Sequence, residues 1–306
     1  MEGFLYYLVY FVLRALALLP LRVLYVISGL IYLLAFHILG YRKQVVYGNL
    51  RNSFPEKSAG EIDLIARRFY RHLCDLTVEI IYLAGISRKE IGRRVRYNNP
   101  QVIEKYFSEG RHVAAIMGHY GNWEWLCGFP VLTGYRCISV YRQLKSNIFE
   151  RLMLRLRTRF GANLVPMKMA IRKIYEFDKK GIPTLNAFMA DQAPPREKAY
   201  WVGFLNQDTP VYPGVEILAR KMDMAVVYFK MNKVRRGYYE FDFIPLFDNA
   251  RETTGHQITH AHVRMLEKQI KEKPEYWLWS HRRWKVKRHP RDVQYVEPNV
   301  PAGTKR

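Results

Sequence analysis

The chain has 306 residues, 49% of them hydrophobic, and a formal charge of +22 from 49 basic and 27 acidic side chains. That length suits one large domain or two small ones, with ample apolar material for a core. The three cysteines, Cys74, Cys127 and Cys137, are odd in number and match neither a disulfide framework nor a zinc site, so reduced thiols, no metal and no cofactor are expected. The positive excess asks for an anionic partner: nucleic acid, an acidic membrane surface, a phosphorylated substrate or an acidic protein. No nucleic-acid-binding motif accompanies it, and the amino terminus turns the reading towards a membrane.

Residues 3–39 are almost wholly apolar, broken by Arg14, Pro20 and Arg22. Val23–Leu39 is near the lower length limit for a spanning helix. Tyr25, Tyr32 and Tyr41 suit interfacial belts, and Arg42-Lys43 marks a cytoplasmic end. Phe4–Leu19, with Arg14 at its centre, suits a helix lying in the interface. Residues 1–45 are therefore read as a membrane anchor, 46–289 as the globular domain and 290–306 as a loose tail holding Pro290, Pro298 and Pro301.

Within the domain, Asn49–Pro55 reads as a polar turn and Ser58–Ala84 as an amphipathic helix with Ile62, Ile65, Phe69, Leu73, Leu76, Ile80 and Leu83 at helical spacing. Asn98-Asn99-Pro100 opens a short helix. Strands are expected at Val113–Met117, Arg136–Tyr141, Ala162–Val165, Thr184–Ala190, Ala225–Met231 and Tyr239–Pro245. Between and after them, helices are expected at Ile148–Phe160, Met169–Lys179, Tyr212–Met222, Thr259–Glu272 and Glu275–Trp284. The alternation predicts an α/β fold, a mixed and largely parallel sheet flanked by helices.

Parallel strands gather their carboxyl ends on one edge, where reactive side chains are presented. Val113–Met117 ends on Gly118-His119, with Glu124 five positions further on; Arg136–Tyr141 runs into Arg142; Thr184–Ala190 runs into Asp191-Gln192. Imidazole and carboxylate are the pairing a general base needs. Arg142 is suited to an oxyanion or a phosphate, with Asp191 to hold it. Asn122, Tyr141, Gln192, Arg282 and Arg283 are candidate substrate-binding positions. A second His-x4-Glu spacing, His262 with Glu267, falls in a helix that turns the two about 140° apart; it reads as a solvated surface.

The order of a membrane helix, Asn49…Phe54-Pro55, Gly118-His119-x4-Glu124, Tyr141-Arg142, Asp191-Gln192 and the block Pro274-Glu275-Tyr276-Trp277-x-Trp279-x-His281-Arg282-Arg283-Trp284-Lys285 resembles the late lipid A acyltransferases of Gram-negative bacteria. The resemblance runs from the anchor to about Lys287. It implies an acyltransferase on the cytoplasmic side of the inner membrane that moves a fatty acyl chain from acyl carrier protein to a hydroxyl of a lipid A precursor, an anionic glycolipid. It also implies a His119/Glu124 catalytic pair supported by Arg142 and Asp191. Gln143 stands where the family often has proline, and Ser146 precedes Asn147 where an asparagine is common; both bear on substrate identity. The alternatives are a related acyltransferase acting on another lipid or amino-acid acceptor, and a non-enzymatic basic protein bound to the membrane surface.

Overall fold

The computed structural model describes residues 2–144, 146–289 and 292. Two helices, α1 (Glu2–Leu16) and α2 (Leu21–Tyr32), form a hairpin turned at Pro20, and a π-helical turn, Leu33–Ile38, extends α2. Then come α3 (Lys43–Ser53) and α4 (Ala59–Leu83). Helix α4 starts where the sequence predicts, because Ser58 and Glu61 form a reciprocal cap: the Ser58 hydroxyl accepts from the Glu61 N–H, and the Glu61 carboxylate accepts from the Ser58 N–H at 2.9 Å. The expected Asn49–Pro55 turn is instead mostly helix; α3 runs through Ser53 because Val46 and Leu50, four apart, bury one face completely.

The remaining elements are α5 (Arg88–Arg94), β1 (Val95–Tyr97), α6 (Gln101–Ser108), β2 (Val113–Met117), α7 (Phe129–Thr133), β3 (Cys137–Tyr141), α8 (Asn147–Thr158), β4 (Asn163–Pro166), α9 (Ala170–Asp178), β5 (Leu185–Met189), β6 (Tyr200–Phe204), β7 (Gln207–Val211), α10 (Gly214–Lys221), β8 (Ala225–Arg235), β9 (Tyr238–Phe247) and α11 (Gln257–Glu272). Seven strands form one sheet in the order β1-β9-β8-β2-β5-β3-β4. All neighbours are parallel except β8 and β9, so the mixed, largely parallel α/β sheet is as the sequence predicts. Strand β2 sits at its centre. Val113, Ala115 and Met117 enter the core on one face, and Ala114 and Ile116 the core on the other. Cover on both faces is why this strand is an unbroken apolar run and not an alternating one.

In the carboxyl-terminal half one hairpin goes unread in the sequence and one expected helix fails, each for a physical reason. The hairpin β6–β7 carries no turn signal, since its two-residue loop is Leu205-Asn206, both at positive φ, where such loops usually have glycine. Glu275–Trp284 is not a helix. Only Pro274–Tyr276 makes a 3₁₀ turn, and Trp277 then bridges to Tyr120. Trp277, Trp279 and Trp284 are all buried, and each indole N–H reaches a different partner: Asp191, the Pro274 carbonyl and the Thr209 hydroxyl. An irregular path lets all three rings be satisfied at once.

The helical hairpin packs onto the domain. Ser28 Oγ donates to buried Asp75 at 2.7 Å, Tyr25 OH donates to buried Glu79 at 2.7 Å, and Arg14 donates to the Ala84 carbonyl. Its outer side stays apolar and exposed, from Phe4, Tyr7, Leu8 and Phe11 on α1 to Val26, Leu30 and Leu33 on the second helix.

Candidate active site

The residue that follows β2, Gly118, is glycine where other side chains occupy the space a Cβ would need. A Cβ there would lie 2.7 Å from Leu266 Cδ1 and 3.2 Å from Asp191 Oδ2. The bare backbone lets Asp191, two residues past β5 on the neighbouring strand, close on the next residue. Asp191 Oδ2 accepts from the His119 backbone N–H at 2.8 Å and from Trp277 Nε1–H at 2.8 Å; Asp191 Oδ1 lies 2.6 Å from His119 Nδ1.

This arrangement fixes the imidazole tautomer. A carboxylate only accepts, so Nδ1 carries the proton and Nε2 keeps its lone pair. Gln192 Nε2, on the exposed side, lies 3.3 Å from that Nε2. Burial pushes the His119 pKa down, but the Asp191 charge and hydrogen bond, with Glu124 further off, more than reverse this and hold it above the ordinary value. Burial alone raises the Asp191 carboxyl; its bonds to His119 and Trp277 overcome that and keep it well below the usual carboxylate range.

Glu124 does not hold the histidine. Its carboxylate is 5% exposed and is clamped by Arg157 of α8, Nε to Oε2 at 2.7 Å and Nη2 to Oε1 at 2.6 Å, with Trp123 Nε1–H adding a bond of 3.0 Å. The 3₁₀ turn Trp123–Gly128 carries Glu124 away from the ring and under α8. The expected His119/Glu124 contact is thus replaced by His119/Asp191, with Glu124 acting on the imidazole only through its field. Arg157 is one of four arginines in a nine-residue stretch, and nothing in the sequence sets it apart from Arg151, Arg155 and Arg159.

The expected Arg142–Asp191 pair is likewise absent among the described residues. Strand β5 lies between β2 and β3, and the Asp191 oxygens are taken on the β2 side. Arg142 is exposed at the carboxyl end of β3, beside half-buried Tyr141. Asn122 is fully buried, and its amide donates to Glu79 at 2.7 Å, which makes it a support of the 118–124 turn and not a surface that substrate can touch. His72 supports the same turn. Lys233 can only donate to its Nδ1, at 3.2 Å, so Nε2–H donates to the Gly121 carbonyl at 3.3 Å, and burial, then Lys233, push the His72 pKa well below the usual range. Gly121 itself has φ +62°, and a Cβ there would collide with Met231 Sδ.

Arg282 is exposed, but Arg283 is only 2% exposed and donates through Nη2 to the Pro210 carbonyl at 2.7 Å, so it is not a surface cation for substrate phosphates. Arg283 lines a void of about 10 Å³ beside Asp191 and His262, room for one water molecule. His262 corrects a further expectation. The helix does turn it away from Glu267, which pairs with Lys271 at 2.5 Å, but His262 is 4% exposed in the core. Burial depresses its pKa to about 4.

The mixed α/β domain presents a carboxylate-held imidazole at the strand-end edge of its sheet. The model of the bacterial lipid A biosynthesis acyltransferase family matches residues 1–286, and the chain belongs to that family. It is an acyltransferase with a lipid A-type acceptor, which excludes the non-enzymatic reading. No curated protein matches the sequence significantly.

Proposed function

We propose that the protein transfers a fatty acyl group from the thioester of acyl carrier protein to a hydroxyl of an anionic lipid A precursor, with His119 as general base and Asp191 as its orienting carboxylate. The observation that carries this reading is the 2.6 Å contact of His119 Nδ1 with buried Asp191, which leaves Nε2 as a base at the open edge of the sheet. The acceptor hydroxyl attacks the thioester carbonyl while its proton passes to Nε2. The imidazolium is stabilised by Asp191. Collapse of the tetrahedral intermediate forms the ester C–O bond and breaks the C–S bond, and the departing thiolate takes the proton back. Gln192 moves off Nε2 as the hydroxyl arrives. Glu124, neutralised by Arg157, stiffens the turn. Exposed Arg142, two strands from β2, receives an acceptor phosphate, a role that charge and position support without Asp191.

We infer further that the chain is held at the cytoplasmic face of the inner membrane by the α1–α2 hairpin lying in the interface. Leu21–Ile38 is an 18-residue apolar helix, about 27 Å long and so just short of a hydrocarbon core of about 30 Å. The middle of α2 is bonded to Asp75 and Glu79, and Arg236 Nε donates to Asp75 at 2.9 Å. A helix crossing the bilayer would have to leave these partners or draw their charges into lipid. This favours one lipid-facing side over the spanning anchor expected from hydropathy.

The test is acyl transfer by the purified full-length protein, with acyl carrier protein thioester and a lipid A precursor in lipid vesicles, read by mass spectrometry. Ester formation that is lost in folded His119→Ala is expected. Turnover by that variant within tenfold of wild type refutes the base assignment. Transfer only to a different lipid class, seen by lipid profiling of a deletion strain, refutes the acceptor.

A further inference from the structure

Strands β3 and β4 are adjacent and parallel, with Tyr141 opposite Pro166, so the chain leaves both at neighbouring points on the edge that carries His119 and Asp191. These exits do not look like an ordinary solvated rim. Leu144, Phe149, Met167, Met169, Ile171 and Tyr175 are each 45–62% exposed, and the cations Arg142, Lys168 and Arg172 are interleaved with them. Large apolar side chains clustered at this exposure mark a surface that meets something less polar than water.

Helix α1 points to what that is. It runs beside α8 in the same direction, since Arg151 stacks on Tyr6 with 4.0 Å to the ring centre and Arg155 on Tyr10 with 4.1 Å. Helix α8 starts at the carboxyl end of β3. The amino terminus of α1, with exposed Phe4, Tyr7 and Leu8, therefore arrives at the same edge as Phe149. The apolar side of the hairpin thus reaches the sheet edge where Phe149, Met167 and Met169 are exposed, while Ile171 and Tyr175 extend that rim onto α9 on the other face of the sheet. Interleaved cations complement anionic headgroups, and exposed aliphatic and aromatic side chains complement the acyl boundary beneath them. An acidic carrier protein would answer the cations but not so large an apolar surface joined to α1.

We propose that the β3 and β4 exit loops enter the membrane interface next to the hairpin, so that the mouth of the His119 site opens onto lipid and the acceptor reaches Nε2 without crossing water. This rests on the interfacial reading of the hairpin.

The experiment labels full-length Met169→Cys with an environment-sensitive dye. Cys74, Cys127 and Cys137 are at most 6% exposed, which leaves position 169 as the reactive thiol. Lys180→Cys, in the turn after α9 at the opposite edge of the sheet, is the control. Vesicles of phosphatidylcholine and phosphatidylglycerol are expected to shift the dye at 169 to the blue, and brominated lipid to quench it, with no change at 180. The variant Phe149→Ser/Met169→Ser, folded by circular dichroism, is expected to partition into these vesicles about tenfold more weakly, as loss of two partly buried apolar side chains implies. If wild type sediments with vesicles but the dye at 169 does not respond, the rim proposal fails while the hairpin reading stands. If wild type does not sediment, both fail. A response at 169 to acyl carrier protein in the absence of vesicles, and none to vesicles, overturns the proposal in favour of carrier docking.

Discussion

Asp191→Asn separates orientation from mere packing. Asp191 Oδ2 receives two donors, the His119 N–H and the Trp277 indole N–H, each at 2.8 Å. An asparagine must therefore place its carbonyl oxygen there and turn its NH2 towards His119 Nδ1, 2.6 Å away in the native protein. Two donors cannot face each other, so the imidazole gives up its Nδ1 proton and takes one on Nε2. The base is then blocked by its own proton while the shape of the site is unchanged. General-base assistance is typically about 10²–10⁴-fold, or about 3–5 kcal/mol of transition-state stabilisation, and the full range is at risk. The assay is single-turnover acyl transfer against pH. In wild type the rate rises as His119 loses its proton, at a pKa above the ordinary value near 6.5. Removal of the Asp191 charge leaves burial as the dominant influence and moves the residual acidic limb to lower pH. A rate within tenfold of wild type, with an unmoved acidic limb, would falsify the assignment of Asp191 as the orienting group. The sign for stability is separate. The Asp191 pKa is depressed in the folded state, so its contribution is full above its unfolded value near 4 and is lost as pH falls towards the folded one.

Glu124→Gln leaves Arg157 without its partner in a site where the carboxylate was 5% and the Arg157 side chain 26% exposed. The expected cost is about 2–4 kcal/mol in urea unfolding, since breaking one side of a buried pair strands the other, and Glu124→Gln/Arg157→Met should recover over half of it; undiminished stability together with a rate loss matching Asp191→Asn would make Glu124 the orienter after all. Arg142→Ala should raise KM for a phosphorylated acceptor more than it lowers kcat, and its loss should add to that of Asp191→Asn in free energy; a double variant no worse than the worse single one would mean the two act as a unit in solution. His262, with a folded pKa of about 4 against about 6.5 unfolded, makes the native state lose stability as pH falls from about 6.5 to 4, by up to about 3 kcal/mol. His262→Gln should flatten that limb of a thermal or urea pH series, and an unchanged series would show that the buried histidine is not the group responsible.

Most elements that depend on side-chain pattern along one segment were determined by the sequence, with Asn49–Ser53 and Glu275–Trp284 the exceptions. Val113–Met117 is a strand in both, residue for residue, because a five-residue apolar run ending in glycine has few other uses. The Ser58–Glu61 cap fixes the start of α4, and alternating strands and helices imply a sheet with an edge that collects His119, Arg142 and Asp191. What the sequence could not decide is which of these groups bond to one another. His-x4-Glu spacing places two residues near each other along the chain, but the 3₁₀ turn after Trp123 sends Glu124 to Arg157, a residue 33 positions away. The bond that does hold His119 spans 72 positions and exists because β2 and β5 are neighbours and Gly118 has no side chain to keep Asp191 out. Arg283 and His262 read as surface groups for the same reason. One is drawn in to the Pro210 carbonyl and the other packed beneath Asp191, by strand order and by the path of three buried tryptophans. Local physics writes the elements into the chain, while the partners of a buried charge are set by whichever distant groups the sheet brings within 3 Å of it.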